Sequence, residues 1–127
     1  MSFLARVVAF IAAGFMSVLV FASTAPFDKA AFDKAVAAGE PVIVQFHADW
    51  CPTCRAQAPI VAELLREPRM KDVKLFVANF DTEKELEKAL KVYSQSTFVV
   101  FKGGKEVGRS TGQTQKSVIE AVFAKAL

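Results

Sequence analysis

The chain has 127 residues, 53% of them hydrophobic, with 16 Lys and Arg against 13 Asp and Glu and a formal net charge of +3. That length admits one domain with a sizeable core and excludes two. Basic and acidic residues are interleaved, without a block of like charge, which argues against a nucleic-acid or membrane-surface binder.

The first 22 residues differ in kind from the rest. A short start containing Arg6 leads into Val7 to Ala22, an uncharged run of 16 residues. It has the form of a secretory signal, with Val20 and Ala22 as the small residues before a cleavage point after Ala22; cleavage after Ala25 would put Pro26 next. An uncleaved anchor is the rival reading, although a span needs about 20 apolar residues. Residues 23–127 then form the domain, and without Arg6 its 15 basic residues stand against 13 acidic ones. Export, with a periplasmic location, would place the domain where disulfides persist.

Thr24 to Phe27 reads as a short edge strand, where Pro26 is tolerated. Lys29 to Ala38 reads as a helix, with Ala31, Ala35 and Ala38 at helical spacing beside Phe32 and Val36, and Gly39 as its stop. Val42-Ile43-Val44-Gln45-Phe46 is a β-branched and aromatic run of the kind buried on both faces, and so the expected central strand. A second helix begins near Cys51, carries Ile60, Val61, Leu64 and Leu65 on one side, is kinked by Pro59 and ends before Pro68. Val73 to Phe80 is the next strand. Asp81 to Tyr93 is the next helix, with Leu86, Leu90 and Tyr93 inward. Thr97–Lys102 and Lys105–Arg109 flank Gly103-Gly104 and predict a tight hairpin. Thr114 to Ala126 closes the chain as a helix with Val118, Ile119, Val122, Phe123 and Ala126 inward. The order β-α-β-α-β-α-β-β-α implies an α/β fold, a sheet with helices on both faces.

Cys51 and Cys54, the only cysteines, stand where the central strand hands over to the second helix. A thiol in the first turn of a helix lies beside unpaired N–H groups and the positive end of the macrodipole, which favour its thiolate. Cys51 is therefore the candidate nucleophile. Pro52 suits the first helical position, and the next turn returns Cys54 within bonding reach. As a structural staple the pair would close so short a loop that it stabilises by only about 2 kcal/mol, against about 4.7 for a loop of 100 residues. A structural zinc site needs four ligands, and the chain holds two Cys and one His.

Trp50-Cys51-Pro52-Thr53-Cys54 at a strand-to-helix junction resembles the thioredoxin superfamily, over about residues 25–127. Pro52-Thr53 followed by Arg55-Ala56 is most similar to the exported, reducing thioredoxin-like proteins of cytochrome c maturation, and Pro59 matches a proline of the family. The resemblance implies a thioredoxin fold with a central mixed sheet, and a thiol–disulfide oxidoreductase that needs no cofactor beyond its own cysteine pair. It further implies protein thiol or disulfide substrates, a membrane thiol reductase as electron donor and a monomer.

Several residues would tune that chemistry. Gln45 stands where the family often has a buried Asp that takes the proton of the second cysteine; an amide cannot do so. His47, the only histidine, shares the strand face of Ile43 and Gln45, about 7 Å beyond Gln45. It is open to three readings: packing beneath the active-site turn, tuning or accepting a proton, or binding a metal. Asp49 reads as a solvated flank whose charge could modestly disfavour a nearby thiolate, and Trp50 either as a shield packed over the loop or as a reader of substrate. Gln95-Ser96-Thr97 matches the substrate-binding segment, with Ser96 in place of the usual cis-proline. A non-proline cis bond costs about 2.5–4 kcal/mol, so this peptide is either trans or held by the fold. The hydroxyl could be a plain loop substitution, alter redox tuning or substrate choice, or take a metal role. Gly112 matches a glycine that lets a partner backbone approach; it serves equally as a turn residue.

The leading expectation is thus an exported thiol–disulfide oxidoreductase acting as a reductant. The alternatives are a copper-binding metallochaperone using the same cysteines with His47 or Ser96, and a redox-inactive binding or chaperone domain.

Overall fold

The computed structural model describes residues 14, 16–17 and 21–127; most of the predicted signal segment lies outside the described residues. The elements run β1 (Ser23–Pro26), α1 (Lys29–Ala37), β2 (Val42–His47), α2 (Pro52–Leu65), β3 (Lys74–Asn79), α3 (Lys84–Leu90), β4 (Thr97–Lys102), β5 (Lys105–Thr111) and α4 (Lys116–Phe123). One-turn 3₁₀ helices follow α2, at Pro68–Met70, and α4, at Ala124–Ala126.

The strands form one sheet in the order β1-β3-β2-β4-β5, so the apolar run of β2 is central as expected. β1 and β2 both pair parallel with β3, while β4 is antiparallel to β2 and to β5. β1 is an edge, which is where a proline without an N–H can sit.

Alternation along β2 divides the core into two layers. Val42, Val44 and Phe46 face α1 and α3 and pack with Phe32, Phe76, Leu86, Val99 and Phe101. Ile43 faces α2 and α4 and packs with Val61, Leu64, Leu75, Phe98, Ile119 and Phe123. The sheet is therefore covered on both sides, and its rigid centre ends in the loop that carries the cysteines.

In α1 the buried stripe is Phe32 and Ala35, while Ala31 and Ala38 are exposed. The ring of Phe32 takes the core side, meeting Phe76 and Phe101 edge-on and Phe27 at a tilt of 54°. One expectation about helices needs correcting. The helix predicted to run to Tyr93 stops at Leu90, because Lys91 turns left-handed at φ 55°. Tyr93 then lies in the following loop, 86% exposed instead of inward. Elsewhere, Gly103 and Gly104 take φ of 61° and 83°, the positive pair that a two-residue hairpin needs.

Candidate active site

The site assembles at the C-terminal end of β2, where parallel strands leave a crevice in open α/β sheets. Cys51 is the N-cap of α2: its backbone is extended, and its Sγ accepts the Cys54 N–H at 3.4 Å. Sulfur thus takes the place that Ser or Asp usually holds, at the end of the helix where the dipole favours negative charge. Pro52 occupies the first turn, where its missing N–H costs nothing.

Helical spacing sets which residues of α2 look inward. Cys54, Gln57, Val61 and Leu64 form its buried stripe. Cys54 is therefore held against the sheet beneath Cys51, with Ala48 and Phe80 packed around both. Both thiols are free.

The third side is the segment before β4. Ser96 is 2% exposed and adopts φ 62°, with its N–H donating to Phe46 O at 2.8 Å. Its carbonyl accepts the Gly112 N–H at 3.0 Å and Gln57 Nε2 at 3.3 Å. A left-handed conformation costs a non-glycine residue about 1–2 kcal/mol, and these bonds hold it there. The consequence is the position of the hydroxyl: Ser96 Oγ lies 3.3 Å from Cys51 Sγ and 3.0 Å from Cys54 Sγ. The Gln95–Ser96 peptide is trans, as are all peptides of the described residues.

Burial by itself pushes the Cys51 thiol upward. Hydrogen bonds from the Ser96 hydroxyl, the Cys54 N–H, the Cys54 side chain and Gln95 outweigh it together and bring the group from its ordinary 9.0 down to about 7. The sulfur expected to be reachable is nonetheless well covered, with Cys51 2% and Cys54 0% exposed. The left-handed turn brings Ser96 over the pair. Trp50 stands on the rim, 58% exposed instead of folded over the loop, because its Nε1 donates outward to Asp81 Oδ2 at 2.9 Å.

The remaining candidates separate. Thr53 is half-buried in the first turn of α2. Gln95 is half-buried next to Ser96 in the segment before β4. Thr97 faces away, its hydroxyl donating to Ser94 O at 2.8 Å and pairing with Thr111 Oγ1 at 2.9 Å. Gly112 sits at φ 70° with open space where a Cβ would point, so the turn requires a glycine-like backbone while the approach stays clear. Gln45 is buried, and it lines a crevice against α2 with Ala58, Val61 and Leu65. His47 Nε2 pairs with exposed Asp49 at 2.9 Å, not with either sulfur, and its ring borders the clefts beside Thr24 and Val77. Among the described residues no group of three or more His, Cys, Asp and Glu could hold a metal ion, and His47 is turned to Asp49, so the copper reading is not supported.

Sequence reasoning missed Gln57. It is wholly buried, and its Nε2 also donates to Gln113 O at 2.8 Å, tying the Ser96 segment to the loop after β5. Its place three residues after Cys54, on the stripe that continues to Val61, was the available signal.

A thioredoxin family profile matches residues 23–125. The chain belongs to the thioredoxin family. Among curated relatives, the thioredoxin of Alicyclobacillus acidocaldarius is 32% identical over 105 residues, which is 83% of this chain and 99% of that one. The thioredoxin of Synechocystis is 32% identical over 106 residues, covering 83% and 98% of the two chains. Among solved structures, Trxlp from Edwardsiella tarda superposes with a TM-score of 0.77 at 39% identity, covering 80% of this chain and 98% of that one. Malassezia sympodialis thioredoxin, at 20% identity, shares the fold with a TM-score of 0.72 over 87% of this chain and 97% of its own. The architecture is therefore the thioredoxin fold, and the chain is a thioredoxin-like thiol–disulfide oxidoreductase. Thioredoxins work through a cysteine pair without a cofactor, and here that pair is Cys51 and Cys54.

Proposed function

We propose that the protein is an exported, monomeric thioredoxin that reduces disulfides in other proteins and is recharged by a membrane thiol reductase. Cys51 thiolate attacks one sulfur of the substrate disulfide, the other substrate sulfur leaves, and Cys54 then displaces the bound sulfur from Cys51. The protein ends as the Cys51–Cys54 disulfide and the substrate as two thiols.

The reducing direction is supported by the surroundings of Cys51 Sγ, where one hydroxyl at 3.3 Å and one N–H at 3.4 Å, with no charged partner among the described residues, depress the thiol only modestly, to about 7. Strong stabilisation of a thiolate stabilises the reduced form and makes the couple oxidising, as in a disulfide-forming relative whose cysteine titrates at about 3.5. A cysteine near 7, the range of reducing thioredoxins, leaves the dithiol ready to give up its electrons. The export reading rests on the uncharged run before Ser23, with Arg6 ahead of it.

Equilibration of the purified domain with dithiothreitol redox buffers tests the direction. The expected potential is about −270 mV, and a value above about −180 mV would make the protein an oxidant or isomerase. Expression of the full chain fused to a reporter that matures only outside the cytoplasm tests export; a reporter that stays inactive refutes it.

A further inference from the structure

We propose that the Ser96 hydroxyl activates the resolving cysteine, donating a hydrogen bond that stabilises the Cys54 thiolate as it attacks in the step that releases product. The proposal rests on dithiol exchange at Cys51 and Cys54 and is independent of export and of the direction of electron flow.

The resolving step has a proton problem. Cys54 must attack as thiolate, yet it is wholly buried in an apolar pocket of Ala48 and Phe80. Gln45 offers an amide, which accepts no proton. The titratable groups on the surrounding elements are directed elsewhere. At the end of β2, His47 pairs with Asp49; after β3, Asp81 accepts from Trp50; on α2, Arg55 is exposed. Among the described residues, Ser96 Oγ is the side-chain oxygen within hydrogen-bond distance of Cys54 Sγ, at 3.0 Å, and it also touches Cys51 Sγ at 3.3 Å.

A hydroxyl can turn its proton towards either sulfur, and once Cys51 is tied up in the mixed disulfide it is free to donate to Cys54 Sγ. A hydrogen bond to the charged form favours that form, against the burial that opposes it. Cys54 loses its proton to solvent and its electron pair forms the new S–S bond to Cys51 Sγ. The bond from Cys51 to the substrate sulfur breaks, and its pair leaves on that sulfur, which takes a proton from solvent. The cysteine pair has lost two electrons, the substrate has gained two, and Ser96 is unchanged.

The geometry is held by backbone, not by chance of rotamer alone. The Ser96 amide and carbonyl are bonded to Phe46, Gly112 and Gln57, three separate parts of the chain. A proline here would supply neither the hydroxyl nor the N–H that bonds Phe46.

The test separates the two chemical steps in Ser96→Gly, whose backbone accepts a positive φ without strain, with Ser96→Ala as a second variant. Attack is followed as mixed-disulfide formation with a chromogenic aromatic disulfide in a Cys54→Ser background. Resolution is followed as thiol release from the same adduct when Cys54 is present, both across pH 5–10. The expected result is resolution about 30-fold slower than in the parent, the scale of one hydrogen bond to a charged group, with its pH profile shifted upward because Cys54 must then ionise unaided. A slowing of less than tenfold, or an unmoved pH profile of resolution, overturns the proposal. Absence of mixed disulfide with the wild-type Cys51 would instead overturn dithiol exchange itself.

Discussion

Gln57→Leu should separate stability from turnover. Gln57 Nε2 makes two hydrogen bonds, at 2.8 Å to Gln113 O and at 3.3 Å to Ser96 O. The shorter is worth about 1 kcal/mol net and the longer about 0.5. Neither acceptor is stranded by the change, because Gln113 is exposed to water and Ser96 O keeps the Gly112 N–H. Against this loss, Gln57 Oε1 is buried without a partner among the described residues. An unsatisfied oxygen of this kind costs about 1–3 kcal/mol, which leucine removes while keeping the volume. The two effects nearly cancel, so urea unfolding of the reduced domain should place Gln57→Leu within about 1 kcal/mol of the parent at an unchanged slope. Turnover in insulin reduction should nevertheless fall at least about threefold, since one anchor of Ser96 is gone and small displacements at a reacting centre are costly. A destabilisation beyond about 3 kcal/mol would refute the energetic balance, and full turnover would refute the claim that this amide positions Ser96.

Other outcomes follow from the backbone and from the thiol. Lys91 ends α3 at φ 55° on an exposed position, so Lys91→Gly should stabilise the protein by about 1 kcal/mol in the same unfolding assay; a loss of stability contradicts the left-handed turn. Cys51 is held at about 7 in the folded, reduced chain against an ordinary 9.0, so the folded state gives up this proton first. The stability this thiolate contributes is complete above about pH 9 and is lost as pH falls through about 7. Reduced protein should therefore gain stability between those values more steeply than Cys51→Ala does, and equal slopes would refute the assignment.

Much of this was readable from the residues. The unbroken apolar run of β2 announces a strand with both faces covered, and Cys51-Pro52-Thr53-Cys54 at its end announces a sulfur at a helix N-terminus. The substitutions at Gln45 and Ser96 were visible as departures too. What stayed hidden depended on the sign of a dihedral angle. Lys91 has no glycine to advertise a left-handed stop, so the helical pattern reads on to Tyr93. Ser96 likewise gives no local signal that it turns left-handed, yet that turn decides that its hydroxyl reaches both sulfurs and that Cys51 is covered. Gln57 hides for another reason: a polar residue in an amphipathic helix is read as outward, and only the phase set by Cys54, Val61 and Leu64 places it inside.

The central claim is that Cys51 is a stabilised thiolate at the head of α2. Its most direct test is the pH dependence of alkylation of reduced protein by iodoacetamide, with Cys51→Ser as the control that identifies the reacting sulfur. A single Cys51-dependent midpoint at about 7 is the predicted result. A midpoint at the ordinary 9.0 would contradict it, and with it the role given to the Ser96 hydroxyl and the helix end.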